Sequence, residues 1–141
     1  MRLTMSLIAL PITLALPVRA DPLSPQDEAA FRAAIADQIA AFQADDGERA
    51  YSHAAPAIRQ IFPDPDRFMS MVRQGYQPVY RPQSYRFGKA GFSGSGRPIQ
   101  RVTIIGPDGL TYEAVYTMER QPDGTWQITG CALVRAQDMS T

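Results

Sequence analysis

The residues best suited to chemistry are polar groups set among apolar neighbours in the last third of the chain: Gln100, Tyr112, Tyr116 and Trp126. An amide, two phenols and an indole between apolar walls have the make-up of a pocket in which a few polar groups orient a ligand. Plain structure is the preferred account of Gln100, at a wet strand end, and the aromatics filling their own core is a further alternative. His53 is the only histidine. An imidazole titrates near neutrality and can act as a general base. A lone His near a helix end is more often exposed or capping, and that is the reading preferred for it.

Arg67, Arg73, Arg81 and Arg86 alternate with Tyr76, Tyr80 and Tyr85. Guanidinium groups pair carboxylates and stack on rings, so Tyr80 and Arg81 are candidates for an anionic or aromatic ligand. The same pattern suits a helix-to-sheet crossing anchored by tyrosines, with the arginines paired locally. Gly91-Phe92-Ser93-Gly94-Ser95-Gly96 is superficially like a nucleophile elbow or a phosphate loop. It matches neither spacing and leads into a strand where both motifs need a helix. No His, Cys and carboxylate cluster has metal-ligand spacing, so neither metal nor cofactor is expected.

These residues need elements to position them. Ser24, Pro25 and Asp27 start a helix with a capping-box pattern, and Phe31, Ile35, Ile39 and Phe42 give it an apolar face. Asp45-Asp46-Gly47 ends it. A shorter helix carries Ile58, Ile61 and Phe62, with Pro56 in its first turn. A third runs from an Asp64 cap through Phe68, Met69 and Val72 to Gly75. Gln77 and Arg81 precede prolines and are expected to be extended. Gly88 to Pro98 reads as a flexible glycine-rich hairpin loop.

Two Pro-Asp-Gly turns, at 107–109 and 122–124, then mark hairpins. With Gly106 opposite Leu110 and Gln121 opposite Thr125, one sheet face holds Val102, Ile104, Tyr112, Ala114, Tyr116, Met118, Trp126, Ile128, Ala132 and Val134. The other holds Arg101, Thr103, Thr111, Glu113, Thr117, Glu119, Gln127 and Thr129. Apolar and polar sets separate, as one buried face of an antiparallel sheet requires. This register puts Gln100, Tyr116 and Gly130 in one inner row. It puts Val115 opposite Cys131 on the outer face, near Leu133. That apolar patch suggests a homodimer packed sheet to sheet, unless a bulge at Gly130 turns Cys131 inward.

Arg2, the apolar run 7–16 and Val18-Arg19-Ala20 form a secretory signal, with cleavage predicted after Ala20 and export to a bacterial periplasm. Residues 21–141 then make a single domain, with no membrane span in the mature chain. The chain has 14 basic and 14 acidic residues, and that balance gives no support to a nucleic-acid partner. Cys131 is the sole cysteine, so no internal disulfide can form.

Helices followed by a curved antiparallel sheet of about four strands resemble the nuclear-transport-factor-2-like, cystatin-related α+β cone. At closer range, Ala41-Phe42-Gln43-Ala44-Asp45-Asp46, Phe68-Met69-Ser70-Met71-Val72-Arg73-Gln74-Gly75-Tyr76 and Pro78-Val79-Tyr80-Arg81-Pro82 resemble the bacterial family of domain of unknown function 4864. Gln100-Arg101-Val102 and Trp126-Gln127-Ile128-Thr129-Gly130-Cys131 extend that likeness. The resemblance carries no catalytic residues with it, and the wider fold hosts isomerases, dehydratases, binding modules and adaptors. The preferred expectation is a non-catalytic module for a small apolar or aromatic ligand or a protein partner. The alternatives are a small pocket enzyme of lyase or isomerase type, and a structural homodimer whose pocket is filled by its own aromatics.

Overall fold

Ser24 accepts from the Asp27 amide and Asp27 accepts from the Ser24 amide, closing the capping box that starts α1, Pro25–Gln43. The computed structural model describes residues 8–12 and 22–136. The cut after Ala20 and most of the expected signal segment lie outside the described residues. Among the described residues, no helix is long and apolar enough to cross a membrane.

α1 buries Phe31, Ile35, Ile39 and Phe42, the expected stripe, and adds Ala34 and Gln38 to it. Asp46 then caps α2, Gly47–Ser52, through its side chain and the Arg49 amide. Asp45-Asp46-Gly47 therefore ends one helix and also begins the next. α3, Pro56–Ile61, starts on Pro56 as expected. α4, Pro65–Gly75, starts from the Asp64 cap and buries Phe68, Met69 and Val72.

Gln77 departs from its expected extended form. It opens a single turn, α5, Gln77–Tyr80, in which Val79 and Tyr80 donate to the Tyr76 carbonyl. Burial of Pro78 and Val79 overrides the local preference of a residue before proline.

Four strands follow in meander order: β1 Ser84–Phe92, β2 Pro98–Ile105, β3 Thr111–Arg120 and β4 Trp126–Arg135. All neighbours are antiparallel. The glycine-rich loop is shorter than expected, because β1 runs through Gly88 to Phe92. What remains is the same turn as the two Pro-Asp-Gly hairpins. In each turn a backbone amide bonds the carbonyl four residues on: Ser93 to Arg97, Gly106 to Leu110, Gln121 to Thr125. The glycine before that partner has positive φ, at Gly96, Gly109 and Gly124.

β2 and β3 pair in the expected register, Gln100 opposite Tyr116 and Val102 opposite Ala114. β3 and β4 do so only from Arg120 to Met118. Thr117 then pairs with Gly130, leaving Thr129 as an extra residue in β4. Beyond this bulge every side chain changes face. Cys131 and Leu133 turn toward the core, and Ala132 and Val134 turn out, with Val134 60% exposed. The helices pack on the inner face around Phe31, Phe42, Val102, Ile104, Tyr116 and Met118. One parallel bridge ties them to β4: Ile128 donates to the His53 carbonyl and Ala55 to the Ile128 carbonyl, each at 2.8 Å.

Candidate functional site

An apolar cavity of about 260 Å³ lies between the helices and the inner face of β3 and β4. Its floor is buried: Phe42 and Gln38 from α1, Phe68 and Val72 from α4, Val79 from α5, Tyr116 and Ile128 from the sheet. Half-buried Ile58, Phe62, Met71 and Tyr76 stand at its mouth. The α1 stripe supplies one polar group, Gln38, whose amide nitrogen donates to the Ala50 carbonyl at 3.1 Å.

The sheet supplies two more. Tyr116 is fully buried, and its hydroxyl has no nitrogen or oxygen partner. Cys131 pairs with it across β3 and β4, because the bulge turns the thiol inward. Burial raises the Tyr116 phenol well above its ordinary value, and the neighbouring thiol adds to this. Burial likewise pushes the Cys131 thiol up to about 12, partly offset by its bond with Tyr116. Both groups are neutral at physiological pH. Among the described residues no carboxylate or imidazole lines this cavity.

The structure separates the residues that the sequence offered together. Tyr116 lines the cavity. Gln100 does not: it is buried beneath the β1–β2 bulge, where one extra residue separates the Phe87–Val102 and Ala90–Gln100 pairs. Its amide nitrogen donates to the Gly88 and Arg101 carbonyls at 3.0 and 2.9 Å, and its side-chain oxygen has no partner. Gln100 therefore stabilises an irregular ladder and is not at a wet strand end.

Tyr112 anchors a turn. Its hydroxyl donates to Asp108 at 2.5 Å, and its ring lies so close to Gly106 that a Cβ there would stand 2.9 Å from it. Trp126 packs edge-on against Phe31, with centroids 4.8 Å apart. Tyr80 and Arg81 close the end of α1. Arg81 stacks on the Tyr80 ring at 4.0 Å and donates to Asp45 at 2.9 Å and to the Phe42 carbonyl. The Tyr80 hydroxyl also donates to Asp45. The hydrogen bond from Tyr80, followed by that from Arg81, lowers the Asp45 carboxyl below its usual range. This is the local pairing that a helix-to-sheet crossing needs.

The outer patch expected around Val115, Cys131 and Leu133 is not assembled. Val115 stays on the outer face opposite Ala132, while Cys131 and Leu133 pack toward the core. The reason for seeking a cover over an outward cysteine goes with it.

His53 caps the end of α2. Its Nε2 lies 2.6 Å from Asp37, a residue the sequence did not single out. Arg49 also binds Asp37. The Arg49 hydrogen bond, then the His53 one, lower the Asp37 carboxyl to about 2. His53 borders a different, shallow groove with Trp126 and Ser52.

Sequence reasoning also missed the helix-borne walls of the cavity. Gln38 had a readable signal: it falls three residues after Ile35 and four before Phe42, a polar residue on an apolar stripe.

No curated protein and no solved structure matches the chain. The family model described as Domain of unknown function (DUF4864) matches residues 24–141, which takes in every helix and strand of the described residues and the whole cavity, and the chain belongs to that family.

Proposed function

We propose that this domain is a non-catalytic binding module that takes a small apolar or aromatic ligand into the cavity between its helices and sheet. One observation carries the reading: a cavity of about 260 Å³ whose buried phenol has no nitrogen or oxygen partner. A dry apolar cavity of about 150 Å³ is already enough for benzene. A buried hydroxyl without a nitrogen or oxygen partner costs free energy, which a polar group on a ligand would recover. The ligand chemistry follows: a ring or short alkyl body carrying one donor or acceptor aimed at Tyr116, whose hydroxyl can take either role. The neutral phenol and thiol favour holding a ligand over transforming it.

The arrangement of helices over one sheet face is compatible with the nuclear-transport-factor-2-like cone, and we read the fold that way. We further read residues 1–20 as a secretory signal and residues 21–141 as a domain that works in the periplasm.

Native mass spectrometry of the protein from its own host compartment tests the binding reading. The expected result is extra mass that is lost on denaturation. Indole titrated against the ligand-free protein should raise its melting temperature, and Val79→Phe, which fills the cavity, should abolish that rise. A bare mass together with no response to indole would overturn the reading.

The His53–Asp37 contact favours a second reading, a small enzyme using the shallow groove. An imidazole held by a carboxylate has the arrangement of a base and its orienting group. His53→Gln separates the two readings: it leaves ligand retention intact in a binder and removes turnover in an enzyme.

A further inference from the structure

Gln38 is the one polar side chain in the buried stripe of α1, and it is 4% exposed. A buried amide is costly unless its hydrogen bonds are made. Only half of this one is satisfied. The amide nitrogen donates to the Ala50 carbonyl of α2 at 3.1 Å, which fixes the nitrogen end of the amide and so the oxygen end. Among the described residues the oxygen accepts no hydrogen bond. Gln100 makes the contrast: its unbonded oxygen is enclosed by protein, away from the cavity. The Gln38 oxygen is not among the enclosed atoms, and the residue lines the cavity. The Tyr116 hydroxyl can donate or accept and sets no preference between the two. The Gln38 oxygen can only accept.

Four rings stand in the same wall: Phe42, Phe62, Phe68 and Tyr76. Phe42 and Phe68 already pack on each other with centroids 6.2 Å apart. Ring edges and faces receive an aromatic body better than an alkyl chain, which has no quadrupole to match them. Among the described residues no charged side chain lines the cavity. An ionised ligand would leave its charge unpaired there, at a cost that apolar contact does not offset.

We infer that the ligand is a neutral aromatic ring bearing an O–H or N–H group, and that this group donates to Gln38 Oε1. The inference rests on the binding reading above and narrows it, making Gln38 a specificity-determining residue. A cavity that merely excludes water prefers methylbenzene to 4-methylphenol, because the hydroxyl gives up its bonds to water. A waiting acceptor reverses that order.

The test compares 4-methylphenol, its isomer methoxybenzene, methylbenzene and benzoate by calorimetric titration of the ligand-free protein at neutral pH. The first two have the same atoms and differ in the donor. 4-Methylphenol is expected to bind about tenfold more tightly than methoxybenzene or methylbenzene. Benzoate, which is ionised, should not bind. In Gln38→Met the preference should shrink to within about twofold while methylbenzene binds as it does to wild type, which shows the cavity intact. If that variant does not fold, the two isomers on the wild-type protein decide alone. Equal binding of the isomers, tight binding of benzoate, or a preference that survives in Gln38→Met overturns the inference. Equal binding of the isomers in a protein that indole still stabilises leaves the binding reading standing, whereas no response to indole or to any of the four removes both.

Discussion

Tyr116 and Cys131 face each other across β3 and β4 because Thr129 adds one residue to β4. In the regular register Gly130 would stand opposite Tyr116, and the thiol would lie in the outer layer. The bulge thus gives the cavity its only thiol among the described residues and places it beside the buried Tyr116 hydroxyl. A small irregularity decides which polar groups a ligand would meet.

Tyr116→Phe should not harm the empty protein. The hydroxyl is buried without a nitrogen or oxygen partner, so its removal should raise unfolding free energy by about 0.5–1 kcal/mol. Urea denaturation of ligand-free protein measures this. A loss of more than about 1 kcal/mol would mean that the contact with Cys131 is worth more than the burial it requires.

Cys131 should resist alkylation. A thiol pushed up to about 12 has far less thiolate at pH 8 than an ordinary one. Iodoacetamide should therefore react roughly a thousandfold more slowly with native protein than with protein in urea. Rapid native labelling would show that the thiol is not enclosed.

Gln100→Leu should cost about 2 kcal/mol, since it leaves the Gly88 and Arg101 carbonyls beneath the bulge without their donor. Indole uptake by the folded fraction should be unchanged, because the residue does not line the cavity. Altered uptake at unchanged stability would place Gln100 in the binding site after all.

Asp37 should make stability depend on acid pH. Its carboxyl is lowered in the folded protein to about 2, from 3.8. A depressed carboxylate stabilises the fold above the unfolded value, and that contribution disappears as pH falls through the folded value. The stability difference between wild type and Asp37→Asn should therefore be full at pH 6 and shrink between about pH 4 and pH 2. A difference that stays constant over this range would mean that Asp37 acts through packing alone.

Much of the fold was legible because local chemistry and global pattern agreed. Ser24 and Asp64 are caps in sequence and in structure, the Pro-Asp-Gly turn at 107–109 sets the β2–β3 register, and the one at 122–124 sets the first pairs of β3 and β4. Legibility stopped at residue 130 for a physical reason. Cys131, Ala132, Leu133 and Val134 are all apolar, so alternation cannot tell which pair faces inward. The Ser93–Arg97 turn was hidden because it reaches the Pro-Asp-Gly geometry with Gly-Ser-Gly. The cavity walls come from four separate helices, and no spacing within one segment announces them. The Asp37–His53 contact spans sixteen residues and two helices, so neither residue signals the other.

The bridge between Ala54 and Ile128 restricts how the molecule can move. Two main-chain bonds stitch the start of α3 to β4, so the helical layer cannot lift from the sheet as a separate foldon without breaking backbone pairing. α3 is therefore held at its Pro56 end. Its other end has Ile61 71% exposed, and there the Tyr51 hydroxyl donates to the Phe62 carbonyl at 2.6 Å beside the cavity mouth. α3 is thus a panel hinged on the sheet at Ala55 and latched to α2 by one side-chain hydrogen bond, and admitting a ligand past Phe62 means releasing that latch.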